Sequence, residues 1–111
     1  MNGDGKADLA VVNNGNTSVS VLLNNGNGTF AAKVDYTTGT NPYSVAIGDL
    51  NGDGRPDLAV ANYSSTSVSV FLNNGNGTFA PKDDYTTGSG PISVAIGDLN
   101  GDGSSDLAVA N

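Results

Sequence analysis

Asp49-Leu50-Asn51-Gly52-Asp53-Gly54-Arg55-Pro56-Asp57 is the stretch that decides how this chain folds. A hard cation such as calcium takes six to eight oxygen ligands at about 2.3–2.6 Å, and alternate residues of a tight loop can point their oxygens at one centre. The two glycines permit the positive φ angles that such a loop requires. Arg55, at the seventh position, would contribute only its backbone carbonyl. The stretch therefore predicts a calcium loop with side-chain ligands Asp49, Asn51, Asp53 and Asp57.

The loop recurs 49 residues later as residues 98–106 and 49 residues earlier as residues 2–8. In the later copy the predicted ligands are Asp98, Asn100, Asp102, the carbonyl of Ser104, and Asp106. In the earlier copy they are Asn2, Asp4, the carbonyl of Lys6, and Asp8. Met1 stands where Leu50 stands in the central copy, so the earlier loop has no equivalent of Asp49. We expect that loop to hold a metal ion poorly.

An EF-hand is the competing interpretation of these acidic loops. An EF-hand needs a bidentate glutamate at position twelve and a helix after the loop. Val60 and Val109 stand at position twelve, and the residues that follow have a strand pattern. A pair of dockerin-like helices is excluded for the same reason.

The whole chain, residues 1–111, is one region of internal repeats. Residues 2–50 and 51–99 are identical at 37 of 49 positions, and a partial repeat, 100–111, matches 51–62 at 10 of 12. A fixed period of this length is typical of solenoids and propellers.

Each repeat contains four strand patterns, and the scarcity of helix-forming residues makes the fold class all-β. In the central repeat, strand A is predicted at 44–48, strand B at 58–62, strand C at 67–72, and a polar outer strand D from 78 to 86. The Asn-Gly steps between C and D are a strong hairpin signal. Four antiparallel strands per repeat predict a propeller blade. The chain would then hold nine strands in the order B-C-D, A-B-C-D, A-B, with blades packing through Val45, Ile47, Val60, Val68, Val70 and their repeats.

Composition excludes several classes of function. The chain has 11 acidic and 4 basic residues, a net charge of −7, which argues against nucleic acid as a partner. Two bound divalent cations would bring that charge to −3. There is no cysteine or histidine, so thiolate metal sites and histidine general bases are absent and we expect no enzymatic activity. No apolar run is long enough to predict a membrane span.

The repeats resemble the FG-GAP or VCBS repeats of calcium-binding β-propellers, as in the heads of integrin α-subunits. The resemblance rests on the run from Asn76 through Tyr85 and Pro91 to residues 93–103, and on the parallel run 27–54. It implies calcium at the loops joining strands A and B, an extracellular or cell-surface location, and a role as a scaffold for adhesion or interaction. Two alternatives remain open: a lectin-like propeller that binds carbohydrate, and an engineered or ancestral-like unit that assembles without a ligand of its own.

Two and a quarter blades leave sheet edges open. We therefore expect this chain to form a homo-oligomer that closes a propeller ring, with strand A at the end of one copy pairing with strand B at the start of the next. A protein or a glycan would bind the completed ring. The loop tips at 38–41 and 87–90 are predicted to lie at the rim opposite the calcium loops.

Overall fold

The computed structural model describes residues 1–111 and contains only β-strands. The alternating apolar and polar residues of each repeat form strands, and the asparagine- and glycine-rich stretches form the turns between them. The nine strands are β1 (Leu9–Asn13), β2 (Ser18–Leu22), β3 (Val34–Thr37), β4 (Pro42–Gly48), β5 (Asp57–Asn62), β6 (Ser67–Phe71), β7 (Asp83–Thr86), β8 (Ser93–Gly97) and β9 (Asp106–Ala110). There is no helix, and so none that could span a membrane.

The strands form three antiparallel sheets that follow the repeats. The first sheet has the order β1-β2-β3, the central sheet β4-β5-β6-β7, and the third sheet β8-β9. The predicted order B-C-D, A-B-C-D, A-B is confirmed. Equivalent strands share one register, since Ala46 pairs with Ala59 in the central sheet and Ala95 with Ala108 in the third.

Strand D is shorter than predicted. It begins at Val34 in the first sheet and at Asp83 in the central sheet, and Phe79 makes only an isolated bridge to Asn73. The loop before it bonds to itself, with the Asn76 side chain accepting from the amide and hydroxyl of Thr78 at 3.1 and 2.6 Å. Phe79 is buried in the core. The prediction that strand D begins at 78 is therefore wrong, because Phe79 packs in the core and is not part of the outer strand.

The core lies between the sheets. Strand β5 contributes to both sides, because successive residues of a strand point to opposite faces. Leu58 and Val60 pack against Val19 and Val21 of the first sheet, whereas Ala59 and Ala61 face the third sheet. Val45, Val68 and Val70 pack between sheets as predicted.

Two residues are exceptions. Val11, the repeat of Val60, is 46% exposed, and Ile47 is 47% exposed. Its equivalent Ile96 packs against the end of β4, where it lies 3.0 Å from the position that a Cβ on Gly48 would take. The first sheet has no strand equivalent to β4, so Ile47 has nothing to pack against. The prediction that Ile47 packs between blades is wrong for that reason.

Candidate functional site

The three acidic loops lie at one end of the sheets. The central loop joins β4 to β5 and the third joins β8 to β9, while the first loop leads into β1. In every loop both glycines have positive φ, for example 76° at Gly52 and 80° at Gly54. This left-handed backbone suits glycine and turns the chain tightly enough for the side chains at alternate positions to share one side. The third and central loops flank a cavity of about 220 Å³ lined by Asp49, Asn51 and Ser104.

Asp49 binds the loop's own backbone. Its carboxylate accepts from the amides of Gly54 and Gly52, both at 2.8 Å, and of Asp53 at 3.2 Å. These donors, Gly54 first, hold the pKa of Asp49 below its ordinary value, although desolvation opposes them. Asp98 repeats the pattern with Gly103, Gly101 and Asp102, and its pKa is lowered in the same way. Both carboxylates therefore carry the negative charge that a cation ligand needs.

Asp53 and its neighbours form the exposed part of the central loop. Asp53 accepts from the Arg55 amide at 2.8 Å, and Asn51 accepts from the Asp53 amide at 3.2 Å. The Arg55 guanidinium lies 3.8 Å from the Asp53 carboxylate. In the third loop, Asp102 accepts from the Ser104 amide at 2.8 Å, and this bond lowers the pKa of Asp102. The third loop has no cation in place of Arg55.

Asp57, at the ninth position, is fully buried. One oxygen accepts from the Leu50 amide and the other from the Asn73 amide, both at 2.8 Å. Asn73 also donates its side-chain amide to the Pro56 carbonyl at 2.9 Å. Asp57 therefore ties the acidic loop to the hairpin between β6 and β7. Asp106 makes only the first of these bonds, to the Leu99 amide at 2.9 Å.

The first loop departs from the other two, as its sequence predicts. Asn2 accepts from the Asp4 amide at 3.2 Å, and Asp4 accepts from the Lys6 amide at 2.9 Å. The Lys6 ammonium lies 3.6 Å from the Asp4 carboxylate. Asp8 accepts from the Asn24 amide at 2.8 Å and from the Met1 amino group. No residue supplies the carboxylate that Asp49 supplies in the central loop.

The structure brings the predicted ligands of each loop into one turn, but no three carboxylates converge on a common point. Their oxygens are directed at backbone amides instead, as the bonds of Asp49, Asp53 and Asp57 illustrate. The donor set consists of oxygens alone and fits a hard cation such as calcium. The Asp57 carboxylate is buried and held by two backbone amides, whereas the side chains of Asn51 and Asp53 are exposed to solvent.

Sequence reasoning missed a network of hydrogen-bonded polar side chains that runs across the central sheet and again across the first. The Asn62 side chain donates to the hydroxyls of Ser67 and Ser69 at 3.1 and 2.8 Å, and Ser69 donates to Asp84 at 2.6 Å. Lys82 pairs with the same carboxylate. The first sheet repeats the network at the positions 49 residues earlier, Asn13, Ser18, Ser20, Lys33 and Asp35. The signal that could have found it is the recurrence of the same polar residues at strand positions 49 residues apart.

The opposite end of the sheets carries the connections between β3 and β4 and between β7 and β8, as predicted. Asn62, at the end of β5, accepts from the Gly39 amide at 3.1 Å. Tyr43 and Tyr63 lie on this rim with their ring centroids 6.0 Å apart. Any ligand of the rim would meet these rings and the polar tips beside them.

The repeated loops and sheets agree with the one comparison that gave a match. The model of the FG-GAP-like repeat matches residues 1–60 and again residues 49–109, so two overlapping matches cover almost the whole chain. Neither a curated protein sequence nor a solved structure matches it significantly. On the strength of its sheet order, its repeated acidic loops and these two matches, the chain belongs to the FG-GAP-like repeat family.

Proposed function

We propose that this chain is a non-catalytic, calcium-binding β-propeller module that serves outside the cell as a scaffold for adhesion or interaction. The observation that carries the proposal is the repetition of one set of oxygen ligands in the loops that join β4 to β5 and β8 to β9. Asp49 and Asp98 make the same three amide contacts, and Asp53 and Asp102 follow in the same geometry. Membership of the repeat family supports the propeller part of the proposal.

The residues that would hold calcium are those predicted from the spacing: the central loop with the Arg55 carbonyl, and the third loop with the Ser104 carbonyl. Bound calcium would neutralise carboxylates that otherwise repel one another across each loop. The chain's own contribution is to fix the loop. Asp57, the first residue of β5, accepts hydrogen bonds from the amides of Leu50 and Asn73. These bonds fix the loop, so that it needs little further ordering when a ligand binds.

Calcium titration of a double variant tests this proposal. A ligand at ten times its dissociation constant stabilises a folded chain by about 1.4 kcal/mol for each site. For a chain of this length and two sites, we expect the melting temperature to rise by about 10 °C in calcium. Asp53→Ala combined with Asp102→Ala should remove that rise, because each loop loses one of its calcium ligands. Both carboxylates are exposed, so removing them should leave the core intact. The measurement is the melting temperature in calcium and in chelator.

Asp83→Ala is the matched control, because Asp83 is an exposed carboxylate on β7 outside the loops. It should keep the full calcium response. An unchanged response in the double variant would place the calcium sites elsewhere, and a wild-type chain that ignores calcium would contradict the proposal itself.

A cleft between the first and central sheets favours carbohydrate as a second candidate ligand. The cleft has a volume of about 380 Å³, within the usual range for small-ligand sites, and is lined by Tyr36, Phe79, Asp35 and Lys82. An aromatic ring beside charged hydrogen-bonding groups is suited to a sugar, which presents one apolar face and several hydroxyls. The ring of Tyr36, 5.4 Å from that of Phe79, would form the apolar wall.

A glycan array distinguishes this candidate from a pure interaction scaffold. If carbohydrate binds in the cleft, the wild-type chain should give a signal specific for certain saccharides, and Lys82→Ala should reduce it by about tenfold through loss of a charged donor. Lys6→Ala is the control, since Lys6 is exposed and lies outside the cleft. An array without a saccharide-specific signal would contradict carbohydrate binding.

A further inference from the structure

The outer face of the first sheet, hereafter the leading face, is apolar and uncovered. Ala10 and Val12 pack toward the central sheet, so the alternation of β1 turns Leu9 and Val11 the other way. Leu9, Val11 and Phe30 are 44%, 46% and 38% exposed. A cluster of exposed apolar side chains on one face is typical of an interaction surface.

The residues 49 positions later show what covers such a face. Leu58, Val60 and Phe79 occupy the same repeat positions as Leu9, Val11 and Phe30, and they are 0%, 0% and 6% exposed. They are buried because they pack against the inner face of the first sheet, including Val19 and Val21. The leading face is therefore complementary to the face that a preceding sheet of this same sequence presents.

The matching open surface lies on the central sheet around Tyr85, on the side of the third sheet, and is hereafter the trailing face. Its equivalent in the first sheet, Tyr36, is covered by Phe71 and Phe79, with ring centroids at 6.1 and 5.4 Å. Tyr85 has no such partners and is 57% exposed. Beside it lies an open cavity of about 280 Å³ lined mostly by apolar side chains, among them Val70, Leu72 and Leu107.

We propose that a second copy of this chain docks its leading face onto the trailing face of the first. Leu22 and Phe30 of the second copy would then cover Tyr85 as Phe71 and Phe79 cover Tyr36 within one chain. The occupant is a second copy because the interface it would form is already present once between the first and central sheets. The inference concerns assembly and holds whether or not the loops bind calcium.

Docking also completes the third sheet. In this arrangement β1 of the second copy pairs with β8, giving four strands in the order β8-β1-β2-β3, like β4-β5-β6-β7. Strand β1 takes the position of β9, whose sequence from Asp106 differs from that from Asp8 at one of six positions, Ala110 in place of Val12. Leu9 and Val11 replace Leu107 and Val109 against the central sheet. β1 of the second copy thus makes the contacts that β9 made, and its β2 and β3 add contacts that the monomer lacks.

The two faces are different, so assembly should be head to tail, and a mixing experiment tests this directly. By sedimentation, the wild-type chain should form a species larger than the 11.0 kDa monomer. Phe30→Asp and Tyr85→Asp each place a charge in the interface and should each weaken self-association by about 30-fold or more. Each variant keeps one intact face, so an equimolar mixture should give a dimer containing one copy of each. Tyr43→Asp is the control, because Tyr43 is also 57% exposed but lies on the opposite rim.

The proposal would be overturned if the wild-type chain stayed monomeric even at 100 times the concentrations at which the variants are measured. Variants that assemble as the wild type does would also overturn it, as would a mixture that remains monomeric while circular dichroism shows both folded. Amide hydrogen exchange checks the strand replacement. On assembly, the amides of β9 should lose protection while those of β8 keep it; protected β9 amides in the assembled species would contradict the exchange of β1 for β9.

Discussion

Replacing Leu58 by alanine is expected to lower the free energy of unfolding by about 3 kcal/mol. Leu58 is fully buried where the first and central sheets meet, in contact with the cluster that contains Val19, Val21 and Phe71. The substitution removes apolar contacts and leaves a cavity that β-sheets on both sides keep from collapsing. Urea unfolding at a concentration where the chain is monomeric measures the change.

Leu9→Ala is the matched control, because Leu9 holds the same repeat position on β1 and is 44% exposed. In the monomer it should cost less than about 1 kcal/mol. If both variants lost the same stability, the packing of the first sheet on the central sheet would not be the source of the effect. For self-association the order reverses: Leu9→Ala should weaken assembly more than Leu58→Ala does.

Asp57→Ala should also lower the free energy of unfolding by about 3 kcal/mol, measured by urea unfolding in the presence of chelator. The buried carboxylate accepts from the amides of Leu50 and Asn73, and alanine would leave both donors without their partner. Chelator removes any metal contribution from the measured loss.

Asp106→Ala is the control within the same chain. Asp106 is half-buried and accepts from one amide, that of Leu99. We expect a loss of about 1 kcal/mol. Equal losses for the two variants would show that the bond from Asn73, which only Asp57 accepts, contributes nothing.

The sheet order was predictable because its signals are local. Alternation along residues 67–71 and the Asn-Gly steps after residue 73 define a hairpin without reference to distant residues. The 49-residue period then predicts the same strand order in each repeat along the chain. The tight acidic turns were predictable for the same reason, since the spacing of Asp49, Asn51, Asp53 and Asp57 is visible in nine consecutive residues. That these residues bind calcium stays a prediction.

What the sequence could not give depends on contacts between repeats. Ile47 and Ile96 stand in identical local sequences, yet only Ile96 finds a neighbouring strand to pack against. Phe79 carries a strand pattern, but its burial between sheets removes it from strand D. Asp57 looked like one ligand among four, and its burial and its bond to Asn73, 16 residues away, appeared only in three dimensions.

The alternation in β5 has a consequence for how such proteins change length. Large residues, Leu58 and Val60, lie on one side of the strand and small ones, Ala59 and Ala61, on the other. The same positions of β1 and β9 carry the same residues except for Val12, so the repeats present closely similar complementary faces. A duplication or deletion of one 49-residue unit in the gene would join surfaces that already fit, with no compensating substitution at the new junction. Selection can therefore adjust the number of units in a single step, while each unit remains free to vary at its loop tips.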